Sequence, residues 1–110
     1  MFQILKENKI ILTRGDTAVL NVDITDPDGN AYEMLEGDTL TLTVKENTRT
    51  KAIILQVKSV STVLRIESSD TDGKGYGVYY YDVQLKCSTG DIHTVIPKSE
   101  FVIGEEVTFQ

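Results

Sequence analysis

Four groups of residues in this chain have types and spacings that can do chemistry. Arg14-Gly15-Asp16 is the tripeptide that integrin ligands display on an exposed loop. Gly-Asp is equally what a strand-ending turn requires, because Gly15 supplies unusual backbone angles and Asp16 hydrogen-bonds the amides that follow. Three residues recur by chance too often to carry adhesion, so the tripeptide reads as a turn. Asp70-Thr71-Asp72-Gly73-Lys74-Gly75 opens like a calcium loop. Such a loop needs oxygen ligands at its positions 1, 3 and 5 and a bidentate Glu at 12. Counted from Asp70, position 5 is Lys74 and position 12 is Tyr81, so a cation stands where an oxygen belongs. Asp26, Asp28 and Asn30 form a second acidic turn with the same ambiguity. Turn-forming Asp and Gly is the better reading of both.

Cys87 and His93 flank one expected hairpin, which brings a thiol and an imidazole within reach of each other. A nucleophile and base also need an orienting group, an oxyanion site and a pocket, and nothing in the sequence supplies them. Two ligands are too few for a structural zinc site. With one His, no Gly-x-Ser-x-Gly and no phosphate loop, the chain does not read as an enzyme. No catalytic, metal-binding or cofactor-binding residue is assigned, and no cofactor is expected. Tyr76, Tyr79, Tyr80 and Tyr81 form the fourth group, a candidate stacking platform for a sugar or peptide. Alternation sends Tyr79 and Tyr81 inward with Val83 and Leu85, and leaves Tyr80, Asp82 and Gln84 on the wet face. Tyr80 is therefore the tyrosine to test for binding.

The elements that must position these groups are strands. At 110 residues the chain is read as a single domain over 1–110, long enough to bury a core without staples. Its 11 basic and 17 acidic side chains give a formal charge of −6, which opposes binding to nucleic acid. No 18-residue apolar run exists to span a membrane. The first residues, Met1-Phe2-Gln3-Ile4-Leu5-Lys6-Glu7, lack the basic-then-apolar layout of a secretory signal. Cys87 has no second cysteine to pair with, so a cytosol-made, disulfide-free domain is expected.

Short β-like runs alternate with turn signals, and no helical period stands out. Residues 8–12 read as a first strand closed by Thr13-Arg14-Gly15-Asp16. Residues 17–25 alternate with Leu20, Val22 and Ile24 on one side, before the reversal Asp26-Pro27-Asp28-Gly29-Asn30. Residues 31–34 suit a short edge strand before a second turn at Glu36-Gly37-Asp38, although a helical turn also fits 32–35. Thr39–Lys45 carries the strongest period-2 signal, with Leu40, Leu42 and Val44 on one face. Residues 51–58 and 63–67 are two further strands, and 68–75 is a polar loop leading into the tyrosine strand at 77–85. A hairpin at 87–92 joins it to closing strands at 92–96 and 100–103, where Pro97 implies an edge, a bulge or a kink. Strands at such intervals favour an all-β fold, an immunoglobulin-like β-sandwich of about seven or more antiparallel strands. Residues 70–76 also resemble the tyrosine corner of such domains, in which a Tyr hydroxyl ties down a loop between sheets. The Trp and Cys pair of antibody domains is absent.

Several segments then combine into a recognisable order. These are Ile10-Ile11-Leu12-Thr13-Arg14-Gly15-Asp16, Gly77-Val78-Tyr79-Tyr80-Tyr81-Asp82-Val83-Gln84-Leu85 and Thr94-Val95-Ile96-Pro97-Lys98-Ser99-Glu100-Phe101-Val102-Ile103, followed by Glu106-Val107-Thr108. The order resembles the N-terminal immunoglobulin-like module of upper baseplate proteins from tailed phages and prophages of Gram-positive bacteria. The resemblance implies a structural, non-enzymatic protein of the virion tail, made in the bacterial host cytoplasm. Its partners would be other baseplate and tail proteins, with no nucleic acid or membrane among them. It implies no binding residues, and residues 32–69 match no pattern of the family. Members usually continue into a longer C-terminal region, so a fragment and a free-standing module are both open. An immunoglobulin-like binding or adhesion domain of a bacterial surface protein is the alternative. The baseplate resemblance implies that Thr13-Arg14-Gly15-Asp16 is a family turn, with Arg14 expected to pair with a loop carboxylate.

Overall fold

Alternating apolar and polar residues make strands here because each pleated segment must bury one face and wet the other. The computed structural model describes residues 2–4 and 8–105. Among them the strands are β1 (Phe2–Ile4), β2 (Ile10–Thr13), β3 (Ala18–Asn21), β4 (Thr39–Lys45), β5 (Leu55–Ser59), β6 (Val63–Ile66), β7 (Gly77–Lys86) and β8 (Ile92–Gly104). A single helical turn, α1 (Ser68–Thr71), precedes β7. The fold is all-β apart from that turn.

Six strands form one mixed sheet in the order β1-β2-β8-β7-β4-β5, and β3 pairs with β6 in a small second sheet. β7 is the spine of the large sheet, antiparallel to β4 on one side and β8 on the other. One pairing departs from the antiparallel expectation. β2 runs parallel to the end of β8, with Ile10 opposite Phe101 and Leu12 opposite Ile103. Nearly the whole described chain separates these two strands, and a connection of that length lets them run in the same direction.

The inward faces of both sheets meet in one apolar core. Leu20, Leu64 and Ile66 of the small sheet join Leu40, Leu42, Val44, Val83 and Leu85 of the large one. Ile10, Leu12, Phe101 and Ile103 close the end where β2 meets β8. Tyr81 lies against Phe101 in an edge-to-face pair with ring centroids 6.0 Å apart, a geometry favoured by the aromatic quadrupole. The alternation expected for 77–85 holds: Tyr81, Val83 and Leu85 are buried and Tyr79 is half-buried.

Local differences have local causes. The alternation of 17–25 persists in burial as far as Ile24, but regular pairing ends at Asn21, since β6 offers only four partners. Residues 31–34 contribute a single bridge, Thr25 to Ala31, in place of a strand. The loop expected at 68–75 contains α1, whose first turn is closed by a reciprocal cap between Glu67 and Asp70. The two closing strands are one long strand, β8, and Pro97 sits inside it at an irregularity. Tyr81 pairs with Ser99 and Val83 with Ile96, so β8 carries an extra residue opposite Asp82. In that half of β8 the only neighbouring strand among the described residues is β7. Pro97 therefore occupies an edge-like stretch with a bulge, where its missing N–H breaks no second ladder.

Candidate functional site

The first constellation is a corner of the fold. Gly15 adopts φ 86° in the turn after β2, and its N–H donates to the Thr71 hydroxyl at 2.8 Å. Thr71 is fully buried in α1. The Asp16 N–H closes the turn on the Thr13 carbonyl. The Arg14 guanidinium donates to the Lys74 carbonyl at 3.0 Å and to the Tyr76 hydroxyl at 2.7 Å, and lies 4.3 Å from the Tyr76 ring centroid. Gly15 thus ties the β2 turn to α1, and Arg14 ties it to the segment after α1. Just beyond, the Tyr79 hydroxyl donates to the Gly75 carbonyl four residues upstream at 2.7 Å. The loop-tying tyrosine is Tyr79, whereas Tyr76 serves Arg14. The sequence signal was the run itself, whose period places Tyr79 on the half-buried face.

The two acidic turns use their oxygens internally. Asp26 Oδ1 accepts the N–H groups of Asp28 and Asn30, and Asp70 accepts the N–H of Glu67. Among the described residues no three His, Cys, Asp or Glu side chains converge as metal ligands.

A network that sequence reasoning missed surrounds Asp38. This carboxylate is only 1% exposed. Its Oδ2 accepts the Tyr32 hydroxyl at 2.5 Å and the Leu35 N–H at 3.0 Å, and its Oδ1 accepts the Ser88 N–H at 3.0 Å. The Tyr32 hydrogen bond leads in holding the Asp38 carboxyl below its ordinary value, aided by the two backbone donors. The same bond to the carboxylate, followed by burial, pushes the Tyr32 phenol up to about 12. Asp38 therefore pins the 35–38 turn to the hairpin after β7. Glu36-Gly37-Asp38 was legible as a turn, but its partners at 32 and 88 were not.

Cys87 and His93 both line a shallow groove of about 560 Å³ beside Tyr32, with Asp23, Asp26 and Pro27 opposite. No described hydrogen bond links the thiol to the imidazole.

A second groove, of about 350 Å³, lies on the outer face of the large sheet around Tyr80. Its floor is the outward row of β7 (Tyr80, Asp82, Gln84) beside Thr43 and Lys45 of β4 and Gln56 of β5. Register sets these neighbours, with Lys45 opposite Tyr80 and Thr43 opposite both Asp82 and Gln56. Asn47, Thr48 and Ile53 of the β4–β5 loop form a wall. The bulge in β8 places Lys98 over this face, its ammonium 4.7 Å from the Tyr80 ring centroid. Gln56 donates to the Thr43 hydroxyl at 3.0 Å. Partial burial raises the Asp82 carboxyl above its ordinary value, with Lys45 opposing the shift.

No protein-family model matches the chain. No curated protein sequence matches it either.

Proposed function

We propose that the chain is an immunoglobulin-like β-sandwich module that assembles with other proteins of a phage tail or baseplate and catalyses no reaction. The observation that carries this reading is the spatial grouping of the segments that resemble upper baseplate proteins. The Ile10 to Asp16 segment, the tyrosine strand and the Ile-Pro-Lys-Ser segment occupy β2, β7 and β8, three adjacent strands of one sheet. The segment Glu106-Val107-Thr108 lies outside the described residues. The Tyr79–Gly75 bond supports the sandwich assignment, because a tyrosine near the start of a strand tying back to the preceding loop is the corner device of immunoglobulin-like domains. The Arg-Gly-Asp turn acts in the same corner as a structural tie. Its hydrogen bonds to Lys74, Tyr76 and Thr71 favour a scaffold over an adhesion loop.

On this reading the protein is made in the bacterial host cytoplasm and resides in the virion, with tail and baseplate proteins as its partners. Immunogold labelling with antibody against the chain tests it. Label at the tail tip of purified particles is the expected result. Label on intact bacterial cells with none on particles would instead support a surface adhesion domain.

A further inference from the structure

The groove around Tyr80 is assembled with more care than a solvated sheet face requires. Most of the outward row along β7 is polar, yet three devices turn it into a concave site. The β4–β5 loop rises as a wall, with Asn47 accepting the N–H groups of Arg49 and Thr50 to hold its bend. The bulge opposite Asp82 re-aims Lys98 across the Tyr80 ring. Bulges recur next to functional sites because one extra residue redirects a side chain. Lys45, opposite Tyr80 in the register of β4 and β7, adds a second lysine to the lining of the groove. Two lysines thus line one groove on a chain whose formal charge is −6.

The lining narrows the ligand. The ammonium groups of Lys45 and Lys98 suit an anion, and Asp82 in the same groove repels one. A simple anion therefore gains little, whereas a ligand carrying both a negative charge and hydroxyl donors satisfies all three groups. Gln84, Gln56 and Thr48 add amide and hydroxyl partners of both kinds, while Tyr80 and Ile53 offer apolar contact to ring C–H groups. Pockets with a few convergent polar groups and some apolar surface are the usual form of small-ligand sites. A peptide would want alternate deep apolar pockets or a free ladder to join. The centre of this floor, β7, is paired on both sides.

We propose that this groove binds an acidic saccharide, with Lys45 and Lys98 holding its carboxylate and Asp82, Gln84 and Gln56 its hydroxyls. The inference stands independently of the baseplate reading, since it rests on the groove alone.

The test is an amide chemical-shift titration of the ¹⁵N-labelled chain with tetragalacturonate, maltotetraose and tetraglutamate as probes. Tetragalacturonate is expected to move the amides of Thr43, Lys45, Tyr80 and Gln84 saturably. The neutral sugar and the acidic peptide should each bind about tenfold more weakly or worse. Lys98→Gln and Gln84→Ala, both at exposed positions, should each weaken tetragalacturonate by about fivefold or more with the melting temperature unchanged. Equal binding of tetraglutamate would reassign the groove to peptides or to charge alone. Equal binding of maltotetraose would remove the role of the lysines. Absence of shifts at millimolar tetragalacturonate, or shifts that survive both variants, would overturn the site.

Discussion

Tyr81 donates its phenolic hydroxyl to the backbone carbonyl of Asn8, 73 residues earlier in the chain. Asn8 holds a positive φ of 63°, the only non-glycine among the described residues to do so. Asn tolerates that conformation better than most residues, and the bond from Tyr81 fixes the carbonyl it presents. The buried ring also meets Phe101 edge to face. One side chain thus joins the middle of β7, the end of β8 and the approach to β2.

Truncating that side chain should be costly where truncating its neighbour is not. Tyr81→Ala is expected to lose about 3–5 kcal/mol, the range for deleting a large buried group. Tyr81→Phe removes the hydroxyl alone and should cost about 1 kcal/mol. Tyr80→Ala, on the outer face, should cost less than about 1 kcal/mol. Urea denaturation of the three variants reads these values, and equal losses at Tyr80 and Tyr81 would show that the faces are misassigned.

Two glycines with similar backbone angles should respond differently to a methyl group. Gly37 (φ +91°) would place a Cβ 2.8 Å from the Ser88 Cβ, while Gly29 (φ +84°) meets nothing within 4 Å. Gly29→Ala carries only the left-handed backbone penalty of about 1–2 kcal/mol. Gly37→Ala adds a clash at the contact where Asp38 binds the Ser88 N–H. Its midpoint in urea should fall clearly below that of Gly29→Ala, and coincident midpoints would show that the hairpin yields freely.

Asp38 gives the protein a sensitivity to acid. Its carboxyl is lowered in the folded state by the Tyr32 hydroxyl and the Leu35 and Ser88 amides. A depressed folded value means that the unfolded chain takes up the proton first. The stabilisation is therefore present above the ordinary carboxylate value and lost as pH falls through the folded one. Stability measured downward from pH 5 should decline more steeply in the parent chain than in Asp38→Asn. That variant should be less stable at neutral pH, because an amide replaces the charged acceptor. Identical acid limbs would remove Asp38 as a source of the decline.

Much of the architecture was legible because each strand had to declare a face. Thr39–Lys45 alternates Thr with Leu40, Leu42 and Val44, and the structure buries those three completely. Pro97 announced an irregularity, since a missing N–H is tolerated only at an edge or bulge. Period-2 alternation says nothing about the partner or its direction, so the parallel pairing of β2 with β8 was beyond its reach. The helical turn α1 is too short to show a period, and its Glu67–Asp70 cap differs from the usual Ser/Thr–Glu pattern. The site residues divide the same way. Tyr80 was assigned outward from its own strand, whereas Lys98 reaches it only through the bulge. Asp38 looked like a turn residue, because its partners Tyr32 and Ser88 come together only in the folded chain.

Alkaline pH should destabilise the protein through two phenols. Tyr81 is pushed up to about 12, chiefly by burial, and Tyr32 to about 12, chiefly by its bond to the Asp38 carboxylate. A raised folded value means that folding favours the neutral phenol over the phenolate. The associated stability is fully present below the ordinary tyrosine value of about 10 and is lost as pH rises through about 12. Urea midpoints should therefore stay level to about pH 10 and then fall. Tyr32→Phe and Tyr81→Phe should each flatten part of that decline, because neither has a proton to release. Absorbance titration of tyrosinate in the folded chain supplies the independent check. Two of the five tyrosines should ionise late, and their late step should disappear one at a time in the two variants. Ionisation of all five in a single step near the ordinary value would remove both the Asp38 bond and the burial of Tyr81 as active constraints.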